Sequence, residues 1–178
     1  MPDGAVIVRA KTKSILDMAG MPKAPKGNHG SVDDMNLGTD FGTSMAPRDT
    51  NVLVRYIVKD DPSQLAASRR LIGRCVARSS TMFVLVTVVL KLEWVLRSRF
   101  SFGKDSVLMI LPNLFSAAAL SFDFQRALEV ALQLFRKGSA DFADCMHVTL
   151  ATQAGGQPLW TFDKGSCNIS GVQLLAKA

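Results

Sequence analysis

MFVLVTVVLKLEWVLRS, residues 82–98, changes character part-way along. Its first five residues, Met82 to Val86, are unbroken and apolar, and they read as a buried strand. Thr87 is placed to cap a helix, and the rest of the stretch reads as that helix. A buried strand that feeds a helix is half of a βαβ unit and points to a parallel sheet covered by helices. The apolar run from Met82 ends before Lys91. It is therefore far short of the roughly 20 residues that span a bilayer.

The same alternation extends both ways. Upstream, Asn51–Val58 suits a short helix, and Asp61-Pro62 starts another as N-cap and first helical residue, running to about Arg78. Downstream, "GKDSVLMILPNLFSA" is helical but should break or kink at Pro112, which has no N–H to give. "AALSF" reads as a strand, "DFQRALEVALQLFRKG" as an amphipathic helix closed by Gly138, and "ADFADCMHVTLATQAGG" as a helix with a glycine stop. "PLWTFD" and "GVQLL" read as two last strands. The fold class is α/β, a three-layer sandwich with a mostly parallel sheet flanked by helices.

Residues 1–47 differ. They hold six glycines, several prolines and few large apolar groups. One short helix is expected around Lys11–Met18, ended by Gly20, with the rest extended and poorly structured. The domain proper is expected over 48–178.

Composition narrows function less than it narrows fold. The chain has 178 residues, 48% of them hydrophobic, and a net charge of +6. Residues 49–178 carry 15 Lys and Arg against 10 Asp and Glu, so the excess sits mainly in the domain. That permits an anionic partner such as nucleic acid. Cys75, Cys145 and Cys167 are scattered with no CxxC, which suggests neither a zinc site nor a disulfide framework and fits a reducing cytoplasm. The start lacks the apolar core of a signal peptide. GxSxG, Walker and GxGxxG motifs are absent. Arg69, Arg70, Arg74 and Arg78 recur at helical spacing, as a solvated face or as a phosphate track. Trp94 and Trp160 are expected in the core or at an interface.

The acids carry the functional expectation. Asp163 closes the strand "PLWTFD", and in parallel sheets ligands gather outside the carboxyl ends of strands. Asp49 falls at the same edge if residues 46–48 end a first strand. Asp141 and Asp144, three apart, share a helix face. Three of the four have a plain alternative: Asp49 and Asp141 as helix caps, Asp163 as the start of a turn with Lys164-Gly165. Together they are expected to converge, which requires a cation or bound protons. Oxygen-only ligands suit Mg²⁺ or Mn²⁺.

"DTNVLVRYIVKDDPSQ", "TVVLKLEWVLRS", "ADFADCMHVTLA" and "LWTFDKG", in this order, resemble a PIN-domain protein of the VapC ribonuclease toxin type over about Arg48 to Leu175. The resemblance implies a Mg²⁺-dependent ribonuclease paired with an antitoxin and commonly dimeric. By position it implies Asp49, Asp144 and Asp163 as catalytic metal acids and Asp141 as an additional metal acid. Thr50, Asn51 and Thr161 match the polar neighbours that orient them. One position departs: Lys91 stands where the family has a Glu. Glu93 does not substitute, because two residues turn a helix by about 200°. This motivates an alternative, a catalytically silenced PIN domain that acts by binding RNA or a partner. A second departure is "TSMAPR" before the first acid, where Pro47 and Arg48 should leave the expected strand short. The first residues, with "VRAKTKSILDMAGMPKAPKG" and "SVDDMN", resemble more faintly the toxin-binding tail of an AbrB-type antitoxin. The partner would then be a separate antitoxin or the chain's own N-terminal segment.

Overall fold

The computed structural model describes residues 11–14, 22 and 50–175. Along the chain run α1 (Thr50–Val58), α2 (Pro62–Ala77), β1 (Met82–Val84), α3 (Val86–Ser98), α4 (Lys104–Phe115), β2 (Leu120–Phe122), α5 (Gln125–Lys137), α6 (Phe142–Gln153), β3 (Leu159–Thr161) and β4 (Val172–Leu174). The architecture is α/β with parallel strands, as expected. Instead of one continuous sheet, the described strands form two parallel pairs. β1 pairs with β2 in the register Met82↔Leu120 and Val84↔Phe122. β3 pairs with β4, Leu159↔Val172 and Thr161↔Leu174. The first pair is joined by a crossover that includes α3 and α4. The second is joined by residues 162–171, which contain a 3₁₀ turn at Ser166–Asn168.

The helices form where their apolar spacing demands a common core. In α5, Ala127, Leu128, Ala131, Leu132 and Phe135 are all buried, one face at i, i+3 and i+4. Facing it, α6 buries Phe142, Cys145, Met146 and Val148, and the rings of Phe135 and Phe142 meet edge to face at 5.9 Å. Leu92 and Leu96 of α3 and Ile110, Leu111 and Leu114 of α4 are fully enclosed. At the start of α2, the Asp61 carboxylate accepts from Ser63 N at 2.8 Å and Gln64 N at 2.9 Å, the cap that the Asp-Pro step implies.

Three expectations need correction. Thr87 does not cap α3. The helix begins at Val86, and Leu85, in the capping position, makes no side-chain bond. Pro112 does not break α4, which continues to Phe115. Burial of Ile110, Leu111, Leu114 and Phe115 is worth about 1.5–3 kcal/mol each, against a proline penalty of about 3 kcal/mol. Ser116 then closes the helix, donating to Pro112 O from its N at 3.0 Å and its Oγ at 2.8 Å. Finally, the described part of the expected N-terminal helix is not helical. Lys13 forms a parallel bridge with Ala117, and Ala118 N donates to Lys13 O at 3.0 Å. Residues 15–18 of that expected helix, and the expected strand at 46–48, lie outside the described residues.

Candidate active site

The first turn of α6 carries two of the acids nominated from the sequence. Asp141 occupies the N-cap position with extended backbone, yet its carboxylate makes no capping bond. It reaches across to α3, where Arg97 Nη1 donates to Asp141 Oδ1 at 2.7 Å. The same guanidinium lies 3.3 Å from Glu93 Oε1, one turn back on α3. Glu93 is buried while Arg97 is 38% exposed along its side chain. Glu93, Arg97 and Asp141 therefore tie α3 to the start of α6, with one cation shared by two acids. They line an open groove of about 460 Å³ together with Trp94, Ser98 and Phe102.

Burial pushes the Glu93 carboxyl above the ordinary glutamate range, and the Arg97 charge pulls in the opposite direction. Because the folded value is the higher one, the fold favours protonated Glu93. Its stabilising contribution is full below the unfolded value and is lost as pH rises through the folded value. Arg97→Met should therefore destabilise the domain by about 1–2 kcal/mol near neutral pH, a figure reduced for the exposure of the guanidinium. The loss should shrink as the medium is acidified and Glu93 takes up a proton. Urea unfolding at several pH values measures this. A pH-independent loss would mean that Arg97 acts by packing alone.

Asp144 follows Asp141 by one helical turn and is half-buried. Among the described residues its carboxylate has no hydrogen bond or ion pair. Asp163 follows β3 and is exposed. Thr161 Oγ1 accepts from Asp163 N at 3.0 Å, while the Asp163 carboxylate accepts from Gly165 N at 3.0 Å and from Ser166 Oγ at 2.7 Å. These donors, the Ser166 hydroxyl first, hold its pKa below the ordinary aspartate value. The turn with Gly165 is thus present. Two accepted bonds still leave lone pairs on a carboxylate that has about four. A Cβ on Gly165 would sit 3.2 Å from Asp163 Oδ2, a tight approach that the exposed carboxylate would relieve by moving a few tenths of an ångström.

Thr50 opens α1 and is buried, and Asn51 beside it is half-buried. Asp49 lies outside the described residues. Lys91 is half-buried on α3 and forms no ion pair with Asp141, Asp144 or Asp163. The donor chemistry of Asp144 and Asp163 suits a hard divalent ion. The number of donors falls short: among the described residues no three metal-ligating side chains come together.

What the sequence reading missed is the role of Glu93 and Arg97. Their i, i+4 spacing is visible in the sequence, but the third partner, Asp141, is 44 residues further on. Trp94 and Trp160, each 54% exposed, are not core residues.

A family model for the PIN domain matches residues 48–172, a span containing Asp49, Asp141, Asp144 and Asp163. The chain belongs to the PIN domain family. Membership points to a nuclease and to RNA as the polymer bound, and PIN domains generally use divalent metal ions. No curated protein matches the chain. Among the described residues of this PIN domain, no helix is long and apolar enough to cross a membrane.

Proposed function

We propose that the chain is a toxin-type endoribonuclease of a toxin–antitoxin system, using Mg²⁺, or Mn²⁺ in its place, to hydrolyse RNA phosphodiesters in the cytoplasm. The observation that carries this reading is the PIN match across the span holding all four nominated acids. Asp49, Asp144 and Asp163 are the proposed ligands. When bound, the divalent ion supplies Lewis-acid charge and a water of lowered pKa. Asp163 is kept ionised and oriented by Ser166, Gly165 and Thr161. Asp141 assists by anchoring the first turn of α6 through Arg97. Thr50 and Asn51 flank Asp49.

The partner is a cognate antitoxin or the chain's own N-terminal segment acting as an AbrB-like tail, and the active form is a homodimer. Contacts of the described N-terminal residues support the tail reading. Lys11 Nζ donates to Leu120 O at 2.6 Å and stands 5.2 Å from the Phe122 ring centroid. Lys13 Nζ donates to Asn113 Oδ1 at 2.7 Å. A second reading, a silenced PIN domain that binds RNA or a partner without cutting, is favoured by Lys91 in the place of the family Glu.

Cleavage of a panel of structured RNAs tests the first reading. Activity should require Mg²⁺ and vanish in EDTA. Asp144→Asn and Asp163→Asn should each lower it by about 100-fold, a typical scale for disturbing a metal centre. Asp105→Asn, an exposed acid in the first turn of α4, should leave it unchanged. Cleavage that is indifferent to Asp144 and Asp163 removes the site. No cleavage at all, with no rise in Tm on adding Mg²⁺, supports the silenced reading, because a metal bound by the native state alone raises Tm.

A further inference from the structure

We infer that the outer face of α2 is an RNA-backbone track, a phosphate-binding surface on a helix separate from those carrying the nominated acids. The inference rests on the reading of RNA as the polymer bound. Arg69, Arg70, Arg74 and Arg78 are all exposed. Arg70, Arg74 and Arg78 follow one row at i, i+4 and i+8, rising about 6 Å per step. The floor beside them is small: Ala66, Ala67, Gly73 and Ala77. A Cβ built at Gly73 meets nothing within 4 Å. A polyanion can therefore approach the helix closely along this face.

The charge is not neutralised locally. No Asp or Glu occurs between Asp61 and Glu93, while the same stretch holds four Arg and one Lys. The ion pairs among the described residues join Arg55 to Asp60 and Arg97 to Glu93 and Asp141, and none involves α2. Like charges at i, i+4 oppose the helix, and an acid at any of those positions would have relieved them. The helix dipole accounts for Arg74 and Arg78 near the C-terminus but not for Arg69 and Arg70 in the middle. Packing does not account for the pattern either, since Ser68 and Ile72 are the buried residues of α2.

The chemistry selects the occupant. Guanidinium forks match phosphate oxygens in pairs, and a row of them matches a ligand whose charges repeat along a chain. A membrane surface would need an apolar stripe beside the charges. Here Val76, 40% exposed, is the one large apolar side chain standing out from α2.

The test is binding of the full chain to a fluorescein-labelled 20-nucleotide single-stranded RNA, in EDTA, across a KCl series. The variants are the triple Arg70→Gln, Arg74→Gln, Arg78→Gln and the matching Lys triple. A control triple, Arg126→Gln, Arg136→Gln, Lys137→Gln, removes the same charge from α5. The slope of log K against log salt should fall by about 2 in the α2 Gln triple, at about 0.7 for each phosphate no longer neutralised. The Lys triple should retain the slope, and the α5 triple should leave it unchanged. An unchanged slope in the α2 Gln triple overturns the inference. So do equal losses in both Gln triples, absence of RNA binding by the wild type, or displacement by poly-glutamate in preference to unlabelled RNA. Cleavage in Mg²⁺ reads the nuclease proposal separately. A protein that grips RNA through α2 without cutting keeps the track and loses the nuclease. A cutting protein with an unchanged slope does the reverse.

Discussion

Phe142→Ala is expected to cost the domain about 3–5 kcal/mol, the usual range for truncating an enclosed aromatic residue. Phe142 is the first residue of α6 and is fully buried against Phe135. Small domains hold only about 5–15 kcal/mol in reserve, so the loss would be a large part of the whole. The position also matters for chemistry. Phe142 follows Asp141 directly and lies two residues before Asp144, so the cavity would open under the turn that carries both acids. Phe162→Ala is the natural contrast. Phe162 neighbours Asp163 but is 64% exposed, and its truncation should stay within about 0.5 kcal/mol. Urea unfolding of both variants measures the difference. A cost below about 1 kcal/mol for Phe142→Ala would mean that the α5–α6 interface does not hold the fold together.

Elements whose boundaries are set by local chemistry are legible in the sequence. Asp61-Pro62 specifies a helix start through its own side chain and ring, and α2 begins there. The face of α5 repeats its apolar spacing so regularly that one reading fits. Features decided by distant packing are not legible. Pro112 looks like a break until the burial of its neighbours is known. Lys11 and Lys13 look like part of a helix until Ala118 and Leu120, more than 100 residues away, are seen to be their hydrogen-bond partners. The acids show the same division. The nominated residues Asp141 and Asp144 fall on one turn, as their spacing requires. The engagement of Asp141 by Arg97, and the burial of Glu93 beneath it, depend on how α3 crosses α6. Helical spacing turns Glu93 away from position 91, and that direction is the one in which Arg97 lies.

Lys91→Glu is expected to raise Mg²⁺-dependent RNA cleavage by about tenfold or more and to lower the Mg²⁺ concentration needed for half-maximal activity. Mg²⁺ takes oxygen ligands and is held through few carboxylates, so each one bears on its affinity. The substitution changes the local charge by two units at a half-buried position on α3. An ammonium 4 Å from a carboxylate is worth about 1 kcal/mol in water and about 4 kcal/mol at an effective dielectric of 20. Lys91 makes no ion pair with Asp141, Asp144 or Asp163, so under the proposed metal site the larger part of the gain comes from the added carboxylate, and a tenfold change needs about 1.4 kcal/mol. Lys91→Met separates the two contributions: it removes the competing cation without adding an acceptor, so its gain should be smaller than that of Lys91→Glu. Glu93→Gln should give no gain, because that carboxylate faces Arg97. The measurement is initial cleavage rate against Mg²⁺ concentration for the wild type and these three variants, with Asp49→Asn as the inactive reference. Strong wild-type cleavage that disappears in Asp49→Asn, combined with no gain from Lys91→Glu, would sink the silencing argument and leave a working nuclease that tolerates Lys91.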